Sequence, residues 1–148
     1  MKKTNQTTNI ENLNSTTSIF PSRINSSFSD EDSLPEILFI TSFPPRECGI
    51  ATYSQDLMKA LNKQFVSSFK LTVCALENNN ERHLYSEEEV KYTLNTSDIN
   101  SFASVADAIN NDPAIKVVVL QHEFGLFAEN VATFNKFITD IQKPLSVV

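Results

Sequence analysis

The stretch KVVVLQHEFGLF, Lys116 to Phe127, decides how this chain is read. Val117, Val118, Val119 and Leu120 form an unbroken β-branched and aliphatic run. Without polar alternation, such a run predicts a strand buried on both faces of a parallel sheet. It empties into a loop carrying His122, Glu123, Phe124, Gly125 and Phe127. In open α/β sheets, ligands bind in the loops beyond the carboxyl ends of the strands.

The pattern of short apolar runs and helical stripes extends outward in both directions. Upstream, EILFIT (36–41) reads as a first strand and SFPPRECG (42–49) as its loop. Pro44 and Pro45 exclude a continued strand or helix there, and Gly49 admits tight or positive-φ geometry. Ile50, Tyr53, Leu57, Ala60 and Leu61 then recur at helical spacing to about Lys63. FKLTVCAL (69–76) is a second strand in which Cys74 packs as a small hydrophobe. The polar run from Glu77 to Glu89 reads as a surface loop with room for a short helical turn, and Val90 to Leu94 as a weak third strand near an edge. Ser101 can cap a helix whose Phe102, Val105, Ala106 and Ile109 share one face, and NNDP (110–113) ends it. Downstream of the opening stretch, Val131, Phe134, Phe137, Ile138 and Ile141 mark a third helix, and Leu145 to Val148 begin a fifth strand.

The order β-α-β-β-α-β-α-β predicts a Rossmann-like, doubly wound and mainly parallel α/β sheet over residues 35–148. Because the last strand has barely begun and no helix follows it, the sequence reads as an incomplete domain, from a truncated frame or a fragment. Residues 1–34, dominated by Asn, Ser and Thr, are expected to form a disordered lead-in, since few apolar side chains offset the entropy of ordering them.

Composition narrows the function classes. A net charge of −6 and the lack of any Lys/Arg cluster argue against nucleic acid as a partner. No apolar run approaches the roughly 18 residues of a membrane span, and the polar N-terminus lacks the apolar core of a signal peptide. The Asn-x-Ser/Thr triplets at Asn5, Asn14, Asn25 and Asn95 are therefore read as by-products of composition. Two cysteines, Cys48 and Cys74, make neither a disulfide scaffold nor a metal knuckle, so the default setting is the reducing cytoplasm.

The chain has only two glycines, Gly49 and Gly125, and each follows an expected strand, the first and the fourth. In a sheet ordered 3-2-1-4-5 those strands are neighbours whose connections leave in opposite directions, so the two loops would face each other at the switch point. The first loop ends at a helix N-terminus, which favours an anion such as phosphate. The spacing is neither GxGxxG nor a P-loop. Arg46 could clamp a phosphate or carboxylate, or stay solvated, with Glu47 solvated or paired to it. Cys48, a thiol near a helix start, is a candidate nucleophile or a packed loop residue. His122 could bond a sugar hydroxyl or phosphate, move a proton, or bond a neighbouring carbonyl. Glu123 is either catalytic or held in a salt bridge or loop contact. Phe124 and Phe127 read as anchors of the loop, and His83, in the polar loop, is assigned no role. A metal centre would need Cys48, His122 and a carboxylate to converge, and none is expected.

FPPRECGIATYSQDLMKAL (43–61) followed by VVVLQHEFGLF (117–127) resembles the N-terminal half of bacterial retaining glycosyltransferases of the GT-B type. The likeness covers residues 36–148 and rests on the pairing of P-P-R-x-C-G-I-A-x-Y with Q-H-E-F-G. It implies metal-free hexose transfer from a nucleotide-sugar to an acceptor, in a cleft between two Rossmann-like domains. This chain would be the acceptor-side domain, inactive without the C-terminal one. It further implies that Gly49, with Arg46, Cys48, Ile50 and Gly125, approaches the donor phosphates, and that His122 and Glu123 lie near the transferred sugar. One departure is Ala128-Glu129, where relatives carry Gly-Gly. Two other readings stand beside it: a non-catalytic, flavodoxin-like anion-binding module, and a GT-B nucleotide-sugar epimerase.

Overall fold

In the computed structural model, residues 34–122 and 125–148 are described. The expectation of disorder over 1–34 and the readings of Glu123 and Phe124 therefore lie outside, or almost wholly outside, the described residues. The elements run β1 (Glu36–Thr41), α1 (Gly49–Gln64), β2 (Lys70–Glu77), β3 (Val90–Asn95), α2 (Ile99–Asn111), β4 (Ile115–Leu120), a short 3-10 turn (Ala128–Asn130), α3 (Val131–Asp140) and β5 (Leu145–Val147). The sheet is ordered β3-β2-β1-β4-β5 and every pairing in it is parallel. This is the Rossmann-like α/β arrangement that the strand and helix periodicities predict.

Two apolar cores form because strand side chains alternate between faces. On one face, Phe39, Phe43, Leu71, Val73 and Ala75 pack with Met58 of α1. On the other, Leu38, Ile40, Leu76, Val118 and Leu120 meet Phe102, Val105 and Ile109 of α2 and Phe134 and Phe137 of α3. The Phe102 and Phe137 rings meet edge to face at 5.6 Å and 76°, joining α2 to α3. Cys74 is fully buried in this second core, and burial pushes its thiol pKa up.

Several details differ from the sequence reading. The opening strand is not sealed on both sides: Val118 and Leu120 are fully buried, whereas Val117 and Val119 are only half-buried. One helix, α1, packs on that side, and its core partners come from β1 and β2. The strands buried on both faces are β1 and β2. The cap of α2 is Asp98, whose carboxylate accepts from the Asn100 amide at 3.0 Å. Ser101 lies inside the first turn, and its hydroxyl accepts from the Asn95 amide at 3.0 Å. The polar loop after β2 opens with an Asn78 turn, its Oδ1 accepting from the Asn80 and Glu81 amides, and closes with the short helical turn the sequence allowed, in which the Glu89 and Val90 amides donate to the Ser86 carbonyl at 3.2 and 2.9 Å. Ala128-Glu129, lacking the freedom of paired glycines, begins the 3-10 turn that leads into α3.

At the amino end of the sheet, Lys91 of edge strand β3 places Nζ 2.7 Å from Glu36 Oε2 and 2.6 Å from Asp112 Oδ2. Tyr92 donates to the same Asp112 oxygen at 3.0 Å. Burial opposes ionisation of Asp112, but bonds from Lys91, the Ala114 amide and Tyr92 outweigh it and lower its pKa. Burial likewise opposes the charge on Lys91, and the bonds to Asp112 and Glu36 outweigh that, raising its pKa. These ties fasten a weakly apolar edge strand to β1 and to the start of β4.

Candidate functional site

Strands β1 and β4 are paired neighbours, so the loops after them leave the carboxyl edge of the sheet side by side. After β1, the Arg46 amide turns back to the Phe43 carbonyl at 3.1 Å and the Cys48 amide to that of Arg46 at 3.2 Å. The Pro44-Pro45 peptide is cis. Cys48 is the N-cap of α1, its Sγ accepting from the Ala51 amide at 3.4 Å. A thiol in this position takes the part usually given to a hydroxyl or carboxylate, satisfying one of the helix's free N–H groups. Gly49 opens α1 with an ordinary negative φ, not the positive value its residue type allowed. A Cβ added at Gly49 or Gly125 would meet nothing within 4 Å. Neither glycine is thus demanded by packing among the described residues.

Arg46 pairs with Glu81 at 3.1 Å, across the β2–β3 connection, and not with Glu47. It also lines a polar cavity of about 140 Å³ together with Asn78, Asn80, Thr96, Ser97, Gly125 and Glu129. This cavity brings Arg46 and Gly125, one from each loop, to one place. The amide and hydroxyl side chains come from the ends of β2 and β3, which sequence reasoning missed. The visible signal was the Asn-rich run after Glu77 and the Thr96-Ser97 pair after β3.

Ile50 and His122 meet elsewhere, in a second cavity of about 200 Å³ completed by Tyr53, Gln121 and Val148. The His122 amide donates to the Val148 carbonyl at 2.8 Å, and the Val148 amide to that of Leu120 at 2.9 Å, continuing the β4–β5 ladder. The His122 ring stacks on Phe127 at 6.0 Å and 16° and lies 5.4 Å from Phe134. Phe127 is buried against Phe134, with ring centroids 3.9 Å apart. It therefore anchors the loop, as the sequence suggests. The cavities divide the candidates: Arg46 with Gly125, and Ile50 with His122. Cys48 and Gly49 stand at the helix start between them in sequence. Among the described residues, no cluster of His, Cys, Asp and Glu could hold a metal ion.

Beneath the second cavity lies a buried polar knot. Thr41 ends β1, Ser54 sits on the sheet-facing side of α1, and Gln121 follows β4; all three are buried. Thr41 Oγ1 lies 2.7 Å from Ser54 Oγ and donates to Gln121 Oε1 at 2.6 Å. Ser54 Oγ also contacts Gln121 Oε1, and it reaches the Ile50 carbonyl at 2.7 Å. Gln121 Nε2 is buried with no partner among the described residues. A buried donor left unpaired costs roughly 1–3 kcal/mol. Sequence reasoning passed over this knot although its sign was present: a serine at position 54 interrupts the apolar stripe of α1.

Comparison with protein-family models, with curated proteins and with solved structures gives no match. No helix among the described residues is long and apolar enough to cross a membrane. What fold and geometry define is a parallel α/β domain with two small cavities over the carboxyl edge of its sheet.

Proposed function

We propose that the chain is the acceptor-side domain of a GT-B retaining glycosyltransferase, moving a hexose from a nucleotide-sugar to an acceptor. The observation that carries this reading is the adjacency of β1 and β4. The two segments bearing P-P-R-E-C-G-I-A-T-Y and Q-H-E-F-G leave the sheet together at its switch point, the position where such folds bind nucleotides. In this reading the start of α1, at Gly49 and Ile50, faces the donor phosphates through its free N–H groups and helix dipole. Arg46 adds a cation beside Gly125. His122, with its ring held by Phe127 and Phe134, lies near the transferred sugar, and Glu123 serves beside it. A second Rossmann-like domain would close the cleft, and the setting would be the cytoplasm.

The test is a titration of the 15N-labelled chain with UDP- and GDP-hexoses, inorganic phosphate and FMN. Nucleotide-sugar should shift the backbone signals of Gly49, Ile50 and His122, while FMN should leave them in place. Saturable binding of FMN, without response to either nucleotide-sugar, would refute the glycosyltransferase reading in favour of a flavodoxin-like module.

A further inference from the structure

The polar cavity at the ends of β2 and β3 is walled by side chains whose hydrogen-bonding capacity is only partly used. Arg46 enters it already paired with Glu81 at 3.1 Å, and Glu129 adds a second carboxylate from the turn that leads into α3. These three groups leave one negative charge in excess. The orientation of the Asn78 amide is fixed by its neighbours: its oxygen accepts from the Asn80 and Glu81 amides at 2.8 and 2.9 Å, so the end left over is the NH2, with both protons unspent. The Thr96 hydroxyl donates to the Glu77 carbonyl at 3.0 Å, which leaves its oxygen to accept. The Ser97 hydroxyl, the Asn80 amide and the Glu129 carboxylate make no hydrogen bond among the described residues. All of these residues are half-buried or exposed. The sealed, unbonded side-chain atoms of the described residues belong instead to Ser42, His83, Tyr85 and Gln121.

We infer that this cavity binds a neutral cyclic polyol, a single sugar ring, through Asn78, Arg46, Thr96, Ser97 and Glu129. The walls offer donors (the Asn78 NH2 and the Arg46 N–H groups not spent on Glu81), acceptors (the Thr96 oxygen and the Glu129 carboxylate) and groups that do both (Ser97 and Asn80). Ring hydroxyls, each a donor and an acceptor, match such a mixed set at every position. Charge separates this ligand from an anion. A phosphate would have to draw Arg46 away from Glu81 and then sit beside Glu129, whereas a neutral ligand leaves the ion pair in place. Size separates it from a nucleotide: about 140 Å³ is well below the roughly 300 Å³ at which pockets for larger ligands begin. Leu126, packed on the core beneath, supplies apolar surface for the C–H face of the ring. The inference deepens the proposed function, and it rests on that reading only for naming the polyol as the acceptor. It refines the part of Arg46, which meets the polyol through its N–H donors while the donor phosphates keep to the start of α1.

The experiment follows the side-chain NH2 signals of Asn78 and the backbone amide of Gly125 in the full 15N-labelled chain, while D-glucose, D-mannose and inorganic phosphate are added separately. At least one hexose should shift both signals saturably, with a Kd of about 1–10 mM, as expected for a ligand of about a dozen heavy atoms. Phosphate should leave both in place. Asn78→Asp assigns the NH2 signals by their loss; it keeps the oxygen that the Asn80 and Glu81 amides need and removes only the donors. Hexose affinity read from Gly125 should then weaken roughly tenfold, the loss of about one hydrogen bond. Glu81→Gln, which strips Arg46 of its carboxylate, should let phosphate shift the Gly125 signal. No saturable shift with either hexose, a wild-type response to phosphate at Asn78 and Gly125, or unchanged hexose affinity in Asn78→Asp would each overturn the inference. If Asn78→Asp does not fold, the wild-type Gly125 titration with hexose and phosphate decides. Hexose shifts at Asn78 and Gly125 without nucleotide-sugar shifts at Gly49, Ile50 and His122 would sink the glycosyltransferase reading and leave this inference standing; the converse would do the opposite.

Discussion

Replacing Lys91 by methionine should expose how the edge of the sheet is held. Its ammonium lies 2.7 Å from Glu36 and 2.6 Å from Asp112, and its side chain is 28 % exposed, against 9 % and 14 % for the two carboxylates. Methionine keeps most of the packing stem and removes the charge. Glu36 would be left with Lys70 at 3.6 Å and the Thr72 hydroxyl at 3.4 Å. Asp112 would keep only Tyr92 and the Ala114 amide. Stripping one partner from a fully buried pair costs about 3–5 kcal/mol, and the partial exposure here brings the expectation to about 2–3 kcal/mol. For a folded unit of this size that is roughly 6–15 °C in Tm. The pH dependence has a definite sign. Asp112 has a lowered pKa, so its contribution is present above the ordinary value of 3.8 and is lost as pH falls through the folded value. Lys91 has a raised pKa, so its contribution is present below 10.5 and is lost as pH rises through the folded value. Urea denaturation of wild type and Lys91→Met at pH 7 and pH 2 measures this directly. The penalty should be full at pH 7 and much reduced at pH 2. Equal penalties at both, or less than about 0.5 kcal/mol at pH 7, would refute the account.

Two further substitutions probe the supports of the site. Cys48→Ser gives α1 a stronger capping acceptor than a thiol at 3.4 Å, and should raise stability by about 0.5–1 kcal/mol over Cys48→Ala in urea denaturation; equal midpoints for the two variants would remove the cap from the explanation. Phe137→Ala empties the contact between α2 and α3 at a side chain 1 % exposed, and should cost about 3–5 kcal/mol. A loss below about 1 kcal/mol would mean that the Phe102–Phe137 contact does not hold α2 to α3.

How much of the fold the sequence displays depends on which interactions carry each element. The Val117–Leu120 run and the Phe102–Ile109 and Phe134–Ile141 stripes declare themselves because burial follows a fixed period. Caps do not, because they turn on a competition between neighbouring polar residues. Asp98 and Ser101 both suit an N-cap, and local backbone geometry gives it to Asp98, leaving Ser101 to hold the end of β3. Arg46 illustrates a longer-range limit. Its neighbour in sequence is Glu47, yet the partner is Glu81, brought near only after β2 has paired beside β1. Gly49 could be noticed but not assigned, since a residue type that permits positive φ does not require it.

The division of the candidate residues between two cavities follows from how each loop leaves the sheet. After β1 the chain turns at Pro44 and Pro45, carries Arg46 towards the ends of β2 and β3, and enters α1 at Gly49. Ile50 and Tyr53, one turn into the helix, thereby overlook the end of β4. After β4, Gln121 reaches towards Ser54 of α1, while the His122 ring meets Phe127 and Phe134 on the α3 side, as successive side chains of an extended segment must. The loop then runs on to Gly125, which lines the Arg46 cavity. One β4 loop thus lines both cavities, and its root is fixed by the hydroxyls of Thr41 and Ser54.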